Sequence, residues 1–183
     1  NIDRITFNSL QKFDIEHPFD TPSLHILDDI DDDSFKELGI FGLNKNVDRY
    51  QLYVFDGKTG QPQGILNWPS TLRDVAFKVI DDLTGDGKKD YAIKGVHKNN
   101  GSTQLVVKNW QTKQTHRTYK WVDNWKDTQI ITMSDITYDG IPEVALYGKH
   151  RRLDKGQLFI LNGHTADKLS VYNWNALWSD TQL

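Results

Sequence analysis

The sequence predicts an all-β chain, a β-propeller of four-stranded antiparallel blades with about three and a half blades present. Three observations carry this. Segments of the 183-residue chain recur at an interval of 53 residues, twice over and without a gap. Each copy holds four short runs of apolar or alternating residues separated by turn formers, which is the pattern of strands. No stretch keeps a sustained helical period, and a lone four-stranded sheet cannot cover both its faces, so tandem copies must stack on one another.

The interval is set by three acidic stretches, Asp29-Ile30-Asp31-Asp32-Asp33, Asp82-Leu83-Thr84-Gly85-Asp86 and Asp135-Ile136-Thr137-Tyr138-Asp139. Many other positions keep the same register. Gly42, Gly95 and Gly148 align, as do Gln51, Gln104 and Gln157, then Thr59, Thr112 and Thr165, then Trp68, Trp121 and Trp174, and finally Asp74, Asp127 and Asp180. The frames are residues 21–73, 74–126 and 127–179 of one repeat domain covering 1–183. Residues 1–20 fall where the outer strands of a preceding blade would lie, and residues 180–183 open a following one. The ring is therefore not expected to close on this chain alone. Remaining blades of a longer chain, or a second copy, are expected to cover the open edges, because uncovered strands invite pairing.

Within a unit, the first strand precedes the acidic loop, at 76–80 and 129–133. The second follows it, at 38–43, 91–96 and 144–147, short and apolar as buried strands are. A polar turn such as Lys98-Asn99-Asn100-Gly101 leads to the third, at 51–55, 104–108 and 157–161. A second turn, Asp56-Gly57-Lys58-Thr59-Gly60 in the first copy, leads to a fourth strand ending near the repeated Trp.

Composition narrows the function classes. With 37% hydrophobic and 26% charged residues the chain can bury a core, and without Cys it has no disulfide, thiolate zinc site or cysteine nucleophile. No apolar run approaches the roughly 20 residues that span a bilayer, so membrane insertion is not expected. The net charge of −3 is too small to suggest nucleic acid as the main partner.

Where the acids sit is more informative. Counting each loop from its first Asp, positions 1, 5 and 9 are acidic in every copy: Asp29, Asp33, Glu37; Asp82, Asp86, Asp90; Asp135, Asp139, Glu143. Position 3 is Asp31, Thr84 or Thr137. Carboxylates crowded in this way repel unless a hard cation neutralises them, and oxygen ligands without His or Cys select calcium over zinc or copper. A mixed shell of carboxylate, carbonyl and water suits calcium better than magnesium. The main-chain carbonyl at position 7, on Phe35, Lys88 or Ile141, completes the expected set. About three ions are expected. Position 6 is Ser34 in the first loop and Gly87 or Gly140 in the others, so a positive φ there would strain the first loop by about 1 kcal/mol. A helix-flanked calcium hand is excluded, since its bidentate acid at position 12 is replaced here by Ile40, Ile93 and Leu146 inside a strand.

The pattern D-x-[DT]-x-D-[GS]-x-x-[DE] followed by an apolar strand resembles the calcium loops of FG-GAP repeats in integrin α-chain propellers and their bacterial relatives. The likeness covers the three frames; Phe41-Gly42 is only a fragment of the Phe-Gly…Gly-Ala-Pro signature. The resemblance implies that the loop joins the first and second strands of each blade, and that positions 1, 3, 5, 7 and 9 are ligands. It also implies a calcium-stabilised binding or adhesion module rather than an enzyme.

Outside the ten loop acids, 15 acids face 22 basic residues, so a calcium-loaded module is mildly basic. Weak calcium sites fill at extracellular concentrations and stay empty in the cytosol, which favours an extracellular, periplasmic or cell-surface location. A protein or glycan partner would use exposed aromatic and hydrogen-bonding side chains. Candidates are Trp110, which has no aromatic counterpart and is expected to be exposed, Trp125 and Trp178 in register with Leu72, and Arg151 and Arg152 on a basic hairpin tip. Each has a packing or solvation explanation. Two other functions stay open: a fragment of a propeller carbohydrate enzyme such as a polysaccharide lyase, and a purely structural spacer.

Overall fold

The computed structural model describes residues 17–19, 21–122 and 125–175. Among them there are three four-stranded antiparallel sheets and no helix. Blade 1 comprises β1 (Ser23–Ile26), β2 (Leu38–Asn44), β3 (Arg49–Phe55) and β4 (Pro62–Pro69). Blade 2 comprises β5 (Leu72–Ile80), β6 (Asp90–His97), β7 (Thr103–Lys108) and β8 (Thr115–Trp121). Blade 3 comprises β9 (Trp125–Met133), β10 (Glu143–His150), β11 (Lys155–Leu161) and β12 (Lys168–Asn175). Strands pair in chain order within each sheet, giving the up-and-down, propeller-like arrangement that the repeat predicts.

The core lies between sheets. Leu27, Phe41, Leu52, Leu66 and Trp68 of blade 1 pack on Phe77, Tyr91, Ile93 and Val106 of blade 2. On the other side of blade 2, Leu105, Val107, Tyr119 and Trp121 pack on Ile130, Val144, Leu146 and Leu161 of blade 3. Each blade thus has a leading face turned to its predecessor and a trailing face turned to its successor. The repeated Trp belongs to the trailing face: Trp68 is wholly buried, and its indole N–H donates to the Val106 carbonyl across the boundary at 3.0 Å.

The first strands of blades 2 and 3 begin earlier than the sequence suggests, at Leu72 and Trp125. A bulge explains this. Pairing shifts between Arg73 and Ala76, and again opposite Tyr147 and Lys149, where Asp74 and Asp127 take φ values of 53° and 52°. The charged, turn-like Arg73-Asp74 and Lys126-Asp127 pairs are bulge residues inside a strand. The repeated glycine makes room for them. A Cβ on Gly95 would meet Leu72 Cβ at 2.9 Å and the Arg73 carbonyl at 3.0 Å, and one on Gly148 would meet the Lys126 carbonyl at 3.0 Å. Phe19 bridges Asn44 as Leu72 pairs with His97, so it stands beside β2 of blade 1 rather than in a preceding blade. Of the 1–20 segment assigned to that blade, residues 1–16 and 20 lie outside the described residues, as do Trp178 and 180–183.

Candidate metal centre

Each acidic loop joins the first and second strands of its blade and folds around its first carboxylate. Asp82 accepts the Gly85 and Gly87 amides, both at 2.6 Å; Asp135 accepts those of Tyr138 at 2.7 Å and Gly140 at 2.8 Å; Asp29 accepts those of Asp33 at 3.1 Å and Ser34 at 2.8 Å. The position 5 carboxylates of Asp33, Asp86 and Asp139 take the amide two residues on, at 2.8, 2.9 and 3.0 Å. This tight winding puts position 6 in the left-handed region, with φ of 73° at Ser34, 85° at Gly87 and 88° at Gly140. Position 4 is left-handed too, at Asp32, Gly85 and Tyr138, a requirement the sequence did not disclose.

The position 9 acids are driven inward by the strand that follows. Glu37, Asp90 and Glu143 are 1%, 1% and 0% exposed. Glu37 accepts the Ile30 amide at 3.0 Å, Asp90 the Leu83 and Thr84 amides at 2.8 and 2.9 Å, and Glu143 the Ile136 and Thr137 amides, both at 3.1 Å. Burial pushes the Asp90 carboxyl up to about 6, against the hydrogen bonds from Leu83 and Thr84. Burial also raises Glu37, and Asp31 and Asp29 add to the effect.

The loops diverge at position 3. In loops 2 and 3 the threonine hydroxyl donates to the position 9 acid, Thr84 to Asp90 at 3.2 Å and Thr137 to Glu143 at 3.0 Å. An asparagine from the turn between third and fourth strands closes the same loops. Asn109 Nδ2 donates to Asp86 at 2.7 Å and Thr84 Oγ1 at 3.2 Å, and Asn162 Nδ2 to Asp139 at 2.8 Å and Thr137 Oγ1 at 3.0 Å. The blade 1 counterparts are Asp31 and Asp56, and neither carboxylate has a proton to donate.

In loop 1, accordingly, Asp29, Asp31, Asp33 and Glu37 each offer an oxygen, and all four lie within 4.8 Å of one another. Ligands on a calcium shell of about 2.3–2.6 Å radius are separated by at most about twice that. The four oxygens therefore fit one such ion. Among the described residues this is the one group of three or more acidic or His ligands that converges so closely. The acids of loops 2 and 3 carry the same pattern, but their oxygens are held by the Thr and Asn donors. Asn109 and Asn162 were missed in the sequence; their signal is the shared register with Asp56.

Of the position 7 residues, Lys88 and Ile141 reach the neighbouring loop with their side chains. Lys88 Nζ donates to the Ile30 carbonyl at 2.7 Å and to Asp32 at 2.8 Å, both in loop 1. A Cβ on Gly85 of loop 2 would meet Ile141 Cδ1 at 3.2 Å. Phe35, in the first loop, is 47% exposed, with the Lys58 ammonium 5.0 Å from its ring centre.

The candidate partner residues do not form one surface. Trp110 is not the exposed aromatic expected. It is half-buried between blades 1 and 2, edge-on to Tyr91 at 6.2 Å, and Gly64 leaves space for its ring. Burial also lowers the ammonium of Lys113, which lies over that ring, to about 8. Trp125 is buried at 8% and packs on His150 and Phe159, so it is a core residue and not a ligand contact. Arg151 and Arg152 are exposed on the β10–β11 hairpin, at the end of the blades opposite the acidic loops. No helix among the described residues is long and apolar enough to cross a membrane.

No protein-family model matches the chain, and no curated protein does. Among solved structures, one described as the structure of Dos1 propeller aligns with 76% of this chain at 12% identity and a TM-score of 0.44. The chain spans 35% of the length of that protein.

Proposed function

We propose that the chain is a calcium-stabilised propeller module of a secreted or cell-surface protein, with FG-GAP-like loops as its metal sites and a protein or glycan as its partner. The observation that carries the metal reading is the convergence of Asp29, Asp31, Asp33 and Glu37 within 4.8 Å of one another. These four residues and the Phe35 carbonyl would hold the ion in loop 1. The bound ion would supply charge neutralisation and would fix the loop against β2, a structural rather than chemical service. Loops 2 and 3 would use Asp82, Thr84, Asp86, the Lys88 carbonyl and Asp90, and Asp135, Thr137, Asp139, the Ile141 carbonyl and Glu143. They come second, because among the described residues only the loop 1 oxygens converge within 4.8 Å of one another. The mildly basic remainder of the module, with Arg151 and Arg152 at the opposite end, suits an acidic partner.

The test is thermal unfolding after thorough chelation, repeated with millimolar calcium or magnesium. A ligand that binds only the native form raises its stability, by roughly 2.7 kcal/mol at a hundred times Kd. A rise of several degrees with calcium, and less with magnesium, is the expected outcome; identical melts in chelator and in calcium would discard the metal reading.

A further inference from the structure

The two ends of the blades carry opposite charge. Strands run alternately up and down within each sheet, so the acidic loops share one end with the β3–β4, β7–β8 and β11–β12 turns. The β2–β3, β6–β7 and β10–β11 hairpins share the other end with the links between blades. Segments of the first end, 27–38, 56–62, 80–90, 109–115, 133–143 and 162–168, hold 15 Asp and Glu against 6 Lys and Arg. Those of the second, 44–50, 69–75, 97–103, 120–128 and 148–156, hold 10 Lys and Arg against 5 Asp and Glu. The hairpin end therefore attracts anions.

The cations there repeat with the fold. Lys45, Lys98 and Arg151 occupy one register position of the three hairpins, 53 residues apart, and all three are exposed. Arg73 and Lys126 share another position, at the bulges of β5 and β9. Local acids answer only some of these charges: Asp74 pairs with Arg73, and Asp154 with Lys149. Among the described residues, Lys98, Lys120, Arg151 and Arg152 enter no ion pair. Cations recurring from blade to blade suit an anion whose own charges recur along a chain.

The remaining side chains narrow the class. Trp68, Trp121 and Trp125 lie beside this end and are buried, so none of these indoles anchors a protein contact or stacks on a base. Val47, Val122 and Leu153 are exposed, but they stand on three separate segments, unlike the continuous apolar stripe of a helix that lies in a bilayer surface. Asn46 and Asn99, the register equivalents of Arg152, are exposed and offer amides to hydroxyl groups.

We propose that the hairpin end binds a linear acidic polysaccharide, with its acidic groups on the cations of successive blades and with Arg151 and Arg152 supplying forked hydrogen bonds. The proposal rests on the partner half of the functional reading above and is independent of the metal half.

Fluorescence anisotropy of the full chain with labelled oligogalacturonate and labelled dextran sulfate tests this, in chelator and again with calcium. Neutral dextran, duplex DNA and phosphatidylglycerol vesicles serve as competitors, and circular dichroism verifies folding of each variant. At least one acidic glycan should bind, more weakly at high salt, and neutral dextran should not displace it. Lys98→Glu and Arg151→Glu should each weaken binding about five-fold. Lys168→Glu, the same charge change at the acidic-loop end, should weaken it less than about two-fold. Failure of both glycans to bind overturns the proposal. So does an equal loss in Lys168→Glu, or stronger displacement by DNA or vesicles than by unlabelled glycan. Melts that ignore calcium would discard the metal sites and leave this proposal standing.

Discussion

The ammonium of Lys88 lies 2.7 Å from the carbonyl oxygen of Ile30, so a side chain rooted in the second acidic loop ends inside the first. It brings a positive charge to the rim of a cluster of four carboxylates, beside Asp32 but not among the converging oxygens. A metal ion entering loop 1 would therefore be repelled by Lys88 while attracted by the four carboxylates. Lys88→Met should raise the calcium affinity of loop 1 by a few-fold at low ionic strength and less at high salt, as isothermal titration would measure.

Asp31 distinguishes loop 1 from its copies. Asp31→Thr should lower calcium affinity by about ten-fold or more, since a charged ligand is lost and the new hydroxyl can donate to Glu37 as Thr84 donates to Asp90. The double change Thr84→Asp with Asn109→Asp should move loop 2 the other way. Titration stoichiometry and affinity for the two variants check both directions.

Ser34 occupies a left-handed position with φ of 73°. Ser34→Gly removes that strain at some cost in unfolded-chain entropy, so stability should change by no more than about +1 kcal/mol, whereas Ser34→Val should lose about 1–2 kcal/mol. Urea unfolding of the calcium-loaded protein measures both.

Gly95 faces the bulge of β5, with Leu72 Cβ 2.9 Å and the Arg73 carbonyl 3.0 Å from any added methyl. Neither is the free end of a flexible chain. Gly95→Ala should cost about 1–3 kcal/mol, the range of overpacking, read as a lower urea midpoint with unchanged m.

In chelator, acidity should help the fold. The Asp90 carboxyl is raised to about 6 from an ordinary 3.8, and Glu37 is raised in the same direction, both chiefly by burial. A raised folded value means the native state binds the proton more tightly than the unfolded chain does. That contribution is complete below about 4 and is lost as pH rises through about 6. Stability in chelator should therefore climb as pH falls from 7 toward 5, by an amount on the order of 1–2 kcal/mol read from urea unfolding, and Asp90→Asn should flatten the climb. Saturating calcium should reverse the trend, because protons then compete with the ion.

The three four-stranded sheets, the strand order and the placement of the acidic loops were legible because one 53-residue register repeats without a gap. The onset of β5 and β9 was not, since Arg73-Asp74 and Lys126-Asp127 break the alternation at bulges that look like turns. Trp110 misled for a different reason. Its neighbours Tyr91 and Gly64 lie on other strands, and Gly64 is in another blade, so nothing adjacent in sequence announces a half-buried ring. The difference between loop 1 and its copies was half legible. Asp31 against Thr84 and Thr137 could be read directly, but the amides that restrain loops 2 and 3 come from Asn109 and Asn162, each 23 residues beyond the carboxylate it binds.

The indole of Trp68 finds its acceptor on Val106, 38 residues further along the chain. During synthesis from the amino end, blade 1 therefore emerges with its largest side chain uncovered and a donor unanswered, and stays so until β7 has been made. Every new blade both shelters the one before and exposes a tryptophan of its own. Assembly advances like a row of tiles, in which the last one laid is always the vulnerable one.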